Sequence, residues 1–214
     1  MPKTTKKKNN ECISDFLYNS EILIIDIPPG LRKITEATSE KTFVNKIKNL
    51  NPFIENSTVK KVIFISSTSV YPRSNKVMTE EDVVLKTPLT TIENLFRENS
   101  FFETTILRFA GLFGDERHPS NWFKNGRKIP QPRGFVNMIH KEDCIEIIHE
   151  IIDQNCWNET FNACSNHHPT RRDFYTIAKL NAQCELPEFE ENEEYEWKII
   201  SSKKVQVVLD YTFI

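Results

Sequence analysis

Continuous apolar runs alternate with stretches of helical spacing through the first half of the chain. The runs are residues 21–27 (EILIIDI), 62–72 (VIFISSTSVYP) and 104–114 (TTILRFAGLFG). They are typical of strands buried on both faces of a parallel sheet. Between them, residues 39–55 and 89–97 repeat apolar positions about one helical turn apart, which predicts two helices. Strand, helix, strand, helix, strand in this order predicts an α/β fold with a parallel sheet covered by helices.

The pattern changes after Gly114, where a turn-rich segment begins. It predicts short strands at residues 135–140 and 159–165, with a helix over residues 144–154 capped by Asp143 between them. A further helix begins after Thr170, which has the spacing of a capping box with Asp173. The tail, residues 197–213, is predicted to be short strand-like pieces, so residues from about 115 to 214 form a small α+β lobe.

Composition narrows the possibilities for location and partners. The 214 residues suit one domain, predicted over residues 20–214 after a mobile segment at residues 1–19. The net charge of −2 argues against nucleic acid or an anionic membrane. Five scattered cysteines and the lack of a long apolar run favour a soluble cytoplasmic protein. The glutamates within residues 185–196 suit a solvated loop better than a cation site, and no metal site is expected.

Four segments in order carry a resemblance to a known family. They are VKKVIFISSTSVYP, TTILRFAGLFGDERHP, VNMIHKEDCIEII and FNACSNHHPTRRDFYTIA. Together they resemble an extended short-chain dehydrogenase/reductase, specifically the NAD-dependent epimerase/dehydratase-like proteins. The resemblance implies a Rossmann-like sheet, NAD or NADP as cofactor, and a small-molecule substrate such as a nucleotide sugar.

In that family a Ser or Thr binds the substrate oxygen, and a Tyr with a Lys four residues later acts as acid and base. The resemblance places the hydroxyl role on Ser67, with Thr68 as the next candidate. The alternative is that these hydroxyls satisfy backbone groups at the strand end. The segment where Tyr-x-x-x-Lys should follow, VVLKTPLTTIENLFRENS, has no tyrosine, and only Lys86 precedes the helix.

The glycine-rich turn that holds the cofactor phosphates in the family is also missing, since none of the five glycines forms such a turn. The resemblance leaves Pro28, Pro29 and Ser66 as cofactor-binding candidates. The run at residues 21–27 resembles the family's fourth strand, so the fold is expected to be truncated at its N-terminus. This strand should then form an open apolar edge, which predicts association of copies or low stability.

Four further residues are candidates for substrate binding, each with a structural alternative. Arg108, within an apolar strand, needs a carboxylate partner or a cleft. Arg117 and His118 lie in the turn where relatives meet substrate, and the alternative is that they are solvated. His140, like Asp143, suits the family's motif, and the alternative is a packed, hydrogen-bonded imidazole.

Three readings follow from these observations. The chain is an NAD(P)-dependent epimerase, dehydratase or reductase, or a member that has lost hydride chemistry and serves as a small-molecule binder or assembly subunit. The third hypothesis is that the chain is the product of a truncated gene. The missing glycine turn and Tyr-x-x-x-Lys favour the second reading.

Overall fold

The structure, a computed structural model, describes residues 12–27, 37–123, 126–191 and 195–214. The chain divides into two compact units, each assembled from separate segments. Unit 1 comprises residues 1–66, 85–107 and 156–160, and unit 2 comprises residues 67–84, 108–155 and 161–214. The lobe predicted from about residue 115 falls mostly within unit 2.

Four strands form the main sheet. They are β1 (Ile22–Ile25), β2 (Lys61–Ser67), β4 (Glu103–Phe109) and β7 (Thr160–Ala163), in the order β1-β2-β4-β7. β1 runs parallel to β2, with Ile22 opposite Lys61. The apolar runs therefore form the strands they predicted, and the α/β class with a Rossmann-like parallel sheet is confirmed.

The helices of unit 1 include α1 (residues 12–17), α2 (Ala37–Lys48), α3 (Asn51–Glu55) and α4 (Pro88–Arg97). The prediction of a single helix over residues 39–55 is wrong, because α2 ends at Lys48 and a separate helix begins at Asn51, just before Pro52. Proline has no N–H to donate within a helix and is tolerated only in the first turn, where α3 places it. Residues 12–17 lie within the segment predicted to be mobile, and Leu17 is buried there.

α4 is fixed at its start and along one face. The hydroxyl of Thr87 accepts from the Thr90 backbone N–H, and the hydroxyl of Thr90 accepts from the Thr87 backbone N–H. These two hydrogen bonds form a capping box. Ile92 and Phe96 are fully buried, and the Phe96 ring lies 5.2 Å from that of Phe64 on β2. Burial of each of these side chains contributes about 1.5–3 kcal/mol.

Residues 104–114, predicted to be a strand that runs into a glycine-bearing turn, form two strands in different sheets. β4 ends at Phe109, and Gly111–Phe113 forms β5, which pairs in parallel with β6 (Met138–His140). Between them, the Ala110 N–H donates to the Ala163 carbonyl. Apolar composition alone cannot reveal such a change of partner.

α5 (Lys141–Asp153) begins earlier than predicted, and its cap is His140 rather than Asp143. The His140 Nδ1 accepts from the Glu142 N–H at 3.4 Å. Asp143 is unavailable as a cap because it lies within the first turn and is 1% exposed, and its Oδ1 accepts from the Tyr211 hydroxyl at 2.8 Å. A carboxylate in this turn still interacts favourably with the helix dipole.

The capping prediction at Thr170 is confirmed, since its hydroxyl accepts from the Asp173 N–H at the start of α6 (Arg171–Asn181). The tail differs from its prediction. Lys198–Ile200 is a strand, β8, which pairs in parallel with β3 (Lys76–Met78), but Lys203–Val208 is a helix, α7. Its β-branched residues favour a strand, and burial of Val205 outweighs that preference.

β1 lies at one end of the strand order, as the sequence predicted. Leu23 and Ile25 are buried, whereas Ile24 and Ile27 are 45% and 42% exposed. An apolar cavity of about 390 Å³ lies beside these residues within unit 1 and is also lined by Phe16. Within the described residues, no helix is long and apolar enough to cross a membrane.

Candidate functional site

The carboxyl end of β2 carries the hydroxyl residues to which the sequence assigned a catalytic role. Ser67 caps a short 3₁₀ helix, Thr68–Val70, and its hydroxyl accepts from the Ser69 N–H at 3.1 Å. Thr68 is buried. For Ser67 this is the geometry of the alternative, in which the hydroxyl satisfies a backbone group. The catalytic role of Ser67 and Thr68 stays a prediction.

In unit 1, the hydroxyl of Ser66 is directed at a carboxylate. It donates to Glu93 Oε1 at 2.5 Å, and both side chains are buried, Glu93 being 1% exposed. Arg97, one turn later on α4, lies 3.7 Å from the other oxygen of Glu93. The helix after the serine strand therefore provides a buried carboxylate, in the segment where the resemblance led us to expect Tyr-x-x-x-Lys.

In unit 2, a buried polar network is centred on Tyr71. Its hydroxyl accepts from Arg108 Nη1 at 2.5 Å and donates to Asn162 Oδ1 at 2.9 Å. The guanidinium of Arg108 also lies 5.1 Å from the centre of the Tyr71 ring. The Asn162 N–H donates to Glu80 Oε1 at 2.7 Å. Arg108 is thus hydrogen-bonded to the phenol of Tyr71, and the Glu80 carboxylate is close enough to interact with it electrostatically.

Burial sets the protonation behaviour of this network. It raises the pKa of Tyr71, although the nearby Arg108 charge acts in the opposite direction. It also raises the pKa of Glu80, against hydrogen bonding from the Asn162 N–H. Tyr71 therefore keeps its proton at neutral pH and is unsuited to act as a base. The Asn162 Nδ2, also buried, has no hydrogen-bond partner among the described residues.

Lys198 secures the turn that follows β2. Its Nζ donates to the carbonyl oxygens of Thr68 and Tyr71, at 2.8 and 2.5 Å. Burial, with a smaller contribution from the Arg73 charge, lowers the pKa of Lys198 to about 8. No local sequence pattern marks Lys198 as part of this turn, because 127 positions separate it from Tyr71.

The turn after β5 carries Arg117 and His118, which are both exposed. His118 Nδ1 lies 2.7 Å from the Ser120 hydroxyl. Arg117 lines a shallow cavity of about 270 Å³, together with Lys141, which is ion-paired to Asp115. An exposed arginine beside a cavity can receive an anion. Substrate binding by Arg117 and His118 remains a prediction.

His140 lies beside this turn and is held in place on several sides. Its ring packs edge-on against Phe113, with centres 5.2 Å apart, and its Nδ1 caps α5. Gly114 adopts φ +122°, and a Cβ built there would lie 2.9 Å from His140 Nε2. Glycine is thus required both by backbone conformation and by the close approach of the imidazole. This packing matches the structural alternative for His140, and a substrate-binding role is not tested.

A Tyr-x-x-x-Lys spacing does occur in the chain, outside the segment where the family has it. Tyr175 and Lys179 lie on α6, and both are buried. Burial raises the pKa of Tyr175, despite the opposing charge of Arg171. The tyrosine packs in the unit 2 core with Met138 and Val136. The spacing therefore has a packing role here and does not supply an activated phenol.

Pro28 and Pro29, two of the cofactor-binding candidates, lie outside the described residues. The third, Ser66, donates its hydroxyl to Glu93. Among residues 12–27, 37–123, 126–191 and 195–214, no group of three His, Cys, Asp or Glu side chains could hold a metal ion.

Comparison with protein-family models gives no match. Among curated proteins, the chain is similar to Protein YeeZ of Escherichia coli strain K12. The two are 26% identical over 199 residues, which cover 89% of this chain and 70% of YeeZ.

Solved structures share the fold over most of the chain. A complex of MoeE5 with UDP-glucuronic acid and NAD has a TM-score of 0.76 at 14% identity, covering 94% of this chain and 77% of MoeE5. The UDP-glucuronic acid 4-epimerase from Bacillus cereus, in complex with NAD, has a TM-score of 0.75 at 14% identity, with coverages of 94% and 72%. A protein of unknown function from Silicibacter pomeroyi has a TM-score of 0.69 at 17% identity, with coverages of 92% and 74%. These likenesses confirm the epimerase/dehydratase resemblance at the level of the fold.

Proposed function

We propose that this chain is an epimerase/dehydratase-like protein that binds a small polar molecule and does not carry out tyrosine-dependent hydride transfer. The fold shared with nucleotide-sugar enzymes supports the first half of the proposal. Fold alone does not determine chemistry, so the second half depends on the residues at the strand ends.

The pair formed by Ser66 and Glu93 carries the proposal. A phenol with a pKa near 10 needs a neighbouring cation to exchange protons at neutral pH. The helix after β2 offers instead a carboxylate that is 1% exposed and already bonded to a serine and an arginine. Its position would destabilise a phenolate, since like charges repel.

The residues present do not fit a nicotinamide dinucleotide in the family's manner. The sequence has no glycine-rich turn to receive the pyrophosphate. Ser66, the one cofactor candidate within the described residues, has its hydroxyl committed to Glu93. The MoeE5 and Bacillus cereus structures, in contrast, are complexes with NAD.

Titration with NADH and NADPH tests the proposal, followed by nicotinamide fluorescence and by calorimetry. We expect no saturable binding in the micromolar range. UDP-glucose and UDP-glucuronic acid, titrated calorimetrically, are the first candidates for the small molecule. Saturable micromolar binding of either nicotinamide cofactor would overturn the loss of hydride chemistry.

A second candidate function, as a subunit of an assembly, is favoured by the open edge at β1. Ile24, in β1, and Ile27, just beyond it, are exposed, and β1 is an edge strand in the described part of the sheet. Such an edge pairs readily with a strand from another chain. Association of two copies through β1 follows from this geometry as a proposal.

A further inference from the structure

Three cationic residues of unit 2 lie on segments that contact one another although they are far apart in sequence. They are Arg73, Arg171 and Lys198. Sequence analysis assigned a role to none of them, and the candidate anion-binding residues Arg117 and His118 lie in a different turn. The contacts that bring the three together all pass through residues 196–198.

The first link joins Arg73 to Lys198. Lys198 donates to the Tyr71 carbonyl, two residues before Arg73. Beyond Arg73, the Asn75 N–H donates to the Trp197 carbonyl at 2.9 Å, and Asn75 Oδ1 accepts from the Trp197 N–H at 2.8 Å. Arg73 is therefore held between two contacts to the same short segment.

The second link brings in Arg171 from the start of α6. Its N–H donates to the Gly134 carbonyl at 2.8 Å. A Cβ built on Gly134 would lie 3.5 Å from the Glu196 carbonyl oxygen and 3.7 Å from the Cδ of Arg171. Gly134 is thus a common neighbour of the stem of Arg171 and of the backbone that leads directly into Lys198.

Each cation has unused donors. Arg171 is oriented by a bond from its Nε to the Pro130 carbonyl, at 2.8 Å, and by the Tyr175 ring, 5.6 Å away. Its two terminal nitrogens have no partner among the described residues. Arg73 is exposed and forms no ion pair with the part of the chain that the structure describes. Lys198 uses two of its three donors on carbonyls.

The electrostatics agree with this arrangement. Burial and then the Arg73 charge lower the pKa of Lys198, and the Arg73 charge also opposes protonation of Arg171, whose pKa is lowered mainly by burial. Like charges held together raise the free energy of the ligand-free state, and a bound anion relieves that repulsion. Arginine forks match the oxygens of a phosphate or sulfate group.

We propose that Arg73, Arg171 and Lys198 form an anion-binding site in unit 2, for a small molecule that carries a phosphate or sulfate group. The inference does not depend on the loss of hydride chemistry, because it concerns residues of unit 2 and needs no nicotinamide cofactor. NADH and NADPH carry phosphate groups themselves, so the site is tested separately with an inorganic anion.

Sulfate is a suitable probe because its charge is constant near neutral pH. The full chain is titrated with sodium sulfate at pH 7 by calorimetry, at constant ionic strength maintained with chloride. We expect saturable binding at one site. Arg73→Gln should weaken it at least about fivefold, since it removes one of three charges and a bidentate donor.

Arg172→Gln is the matched control. It removes the same charge from the position next to Arg171, where the guanidinium is already paired with Glu191 and stacked 4.5 Å from the Phe189 ring. Its effect on the sulfate dissociation constant should stay within about twofold. Absence of saturable binding by the unaltered chain, or an equal loss in both variants, would refute the site. Circular dichroism of both variants checks that they fold.

Discussion

The buried hydroxyl of Tyr71 offers a sharp test of what holds unit 2 together. Replacement by phenylalanine keeps the ring but removes an oxygen that accepts from Arg108 and donates to Asn162. Both partners are nearly inaccessible, at 3% and 0% exposure, so water cannot easily replace the lost contacts. Each group that loses its hydrogen bond to the hydroxyl costs about 1–3 kcal/mol.

The two losses together predict a decrease of about 2–6 kcal/mol in the free energy of unfolding for Tyr71→Phe. For a chain of this size, 1 kcal/mol corresponds to about 2–4 °C in Tm, so Tm should fall by roughly 4–24 °C. Urea unfolding, followed by tryptophan fluorescence and by circular dichroism, measures the change. Agreement of the two probes shows whether the transition is two-state.

Tyr195→Phe is the control in the same unit, because its side chain is exposed and its hydroxyl has no partner among the described residues. It should change stability by no more than about 0.5 kcal/mol. A loss below about 1 kcal/mol for Tyr71→Phe would show that the network contributes less to the free energy of unfolding than its geometry implies. Equal losses in the two variants would point to a general effect of removing a tyrosine hydroxyl.

Two further predictions concern Lys198 and the sheet edge. The pKa of Lys198 is 10.5 in the unfolded chain and about 8 in the folded chain, so between pH 8 and 10.5 the unfolded chain binds more protons. The free energy of unfolding should therefore rise from pH 8 to 10.5. Urea unfolding over this range should show a shallower rise for Lys198→Met than for the exposed control Lys203→Met, and identical slopes would contradict the shift. Ile24→Lys places a charge on the β1 edge and should abolish association in sedimentation velocity, with Lys48→Ala as a control away from the strand. A monodisperse monomer of the unaltered chain would argue against pairing through β1.

The strands could be predicted from sequence because burial on both faces leaves an unbroken apolar run. Residues 21–27 and 62–72 contain β1 and β2, and the edge position of β1 followed from the resemblance. Helix ends were predictable where a local signal exists, as at Thr170. The cap of α5 was misplaced because Asp143 and His140 are both suitable caps, and only the distant Tyr211 removes Asp143 from consideration.

The site was less accessible to sequence reasoning. Ser66 could be singled out, but its partner Glu93 is 27 residues away, and nothing local marks that glutamate as buried. Tyr71 and Asn162 are separated by 91 positions, and Lys198 is more distant still. Single-sequence patterns report local periodicity, whereas these contacts depend on how strands are ordered in the sheet.

The interleaving of the two units constrains how the protein can be made or divided. The chain passes from one unit to the other after Ser66, Val84, Leu107, Asn155 and Thr160. No single cut yields either unit as a continuous polypeptide, so expression of half the gene would leave both incomplete. During synthesis, unit 1 lacks its last segment until residue 160 has left the ribosome. A destabilising substitution within residues 156–160 is therefore expected to impair folding of unit 1, most of which is synthesised long before that segment.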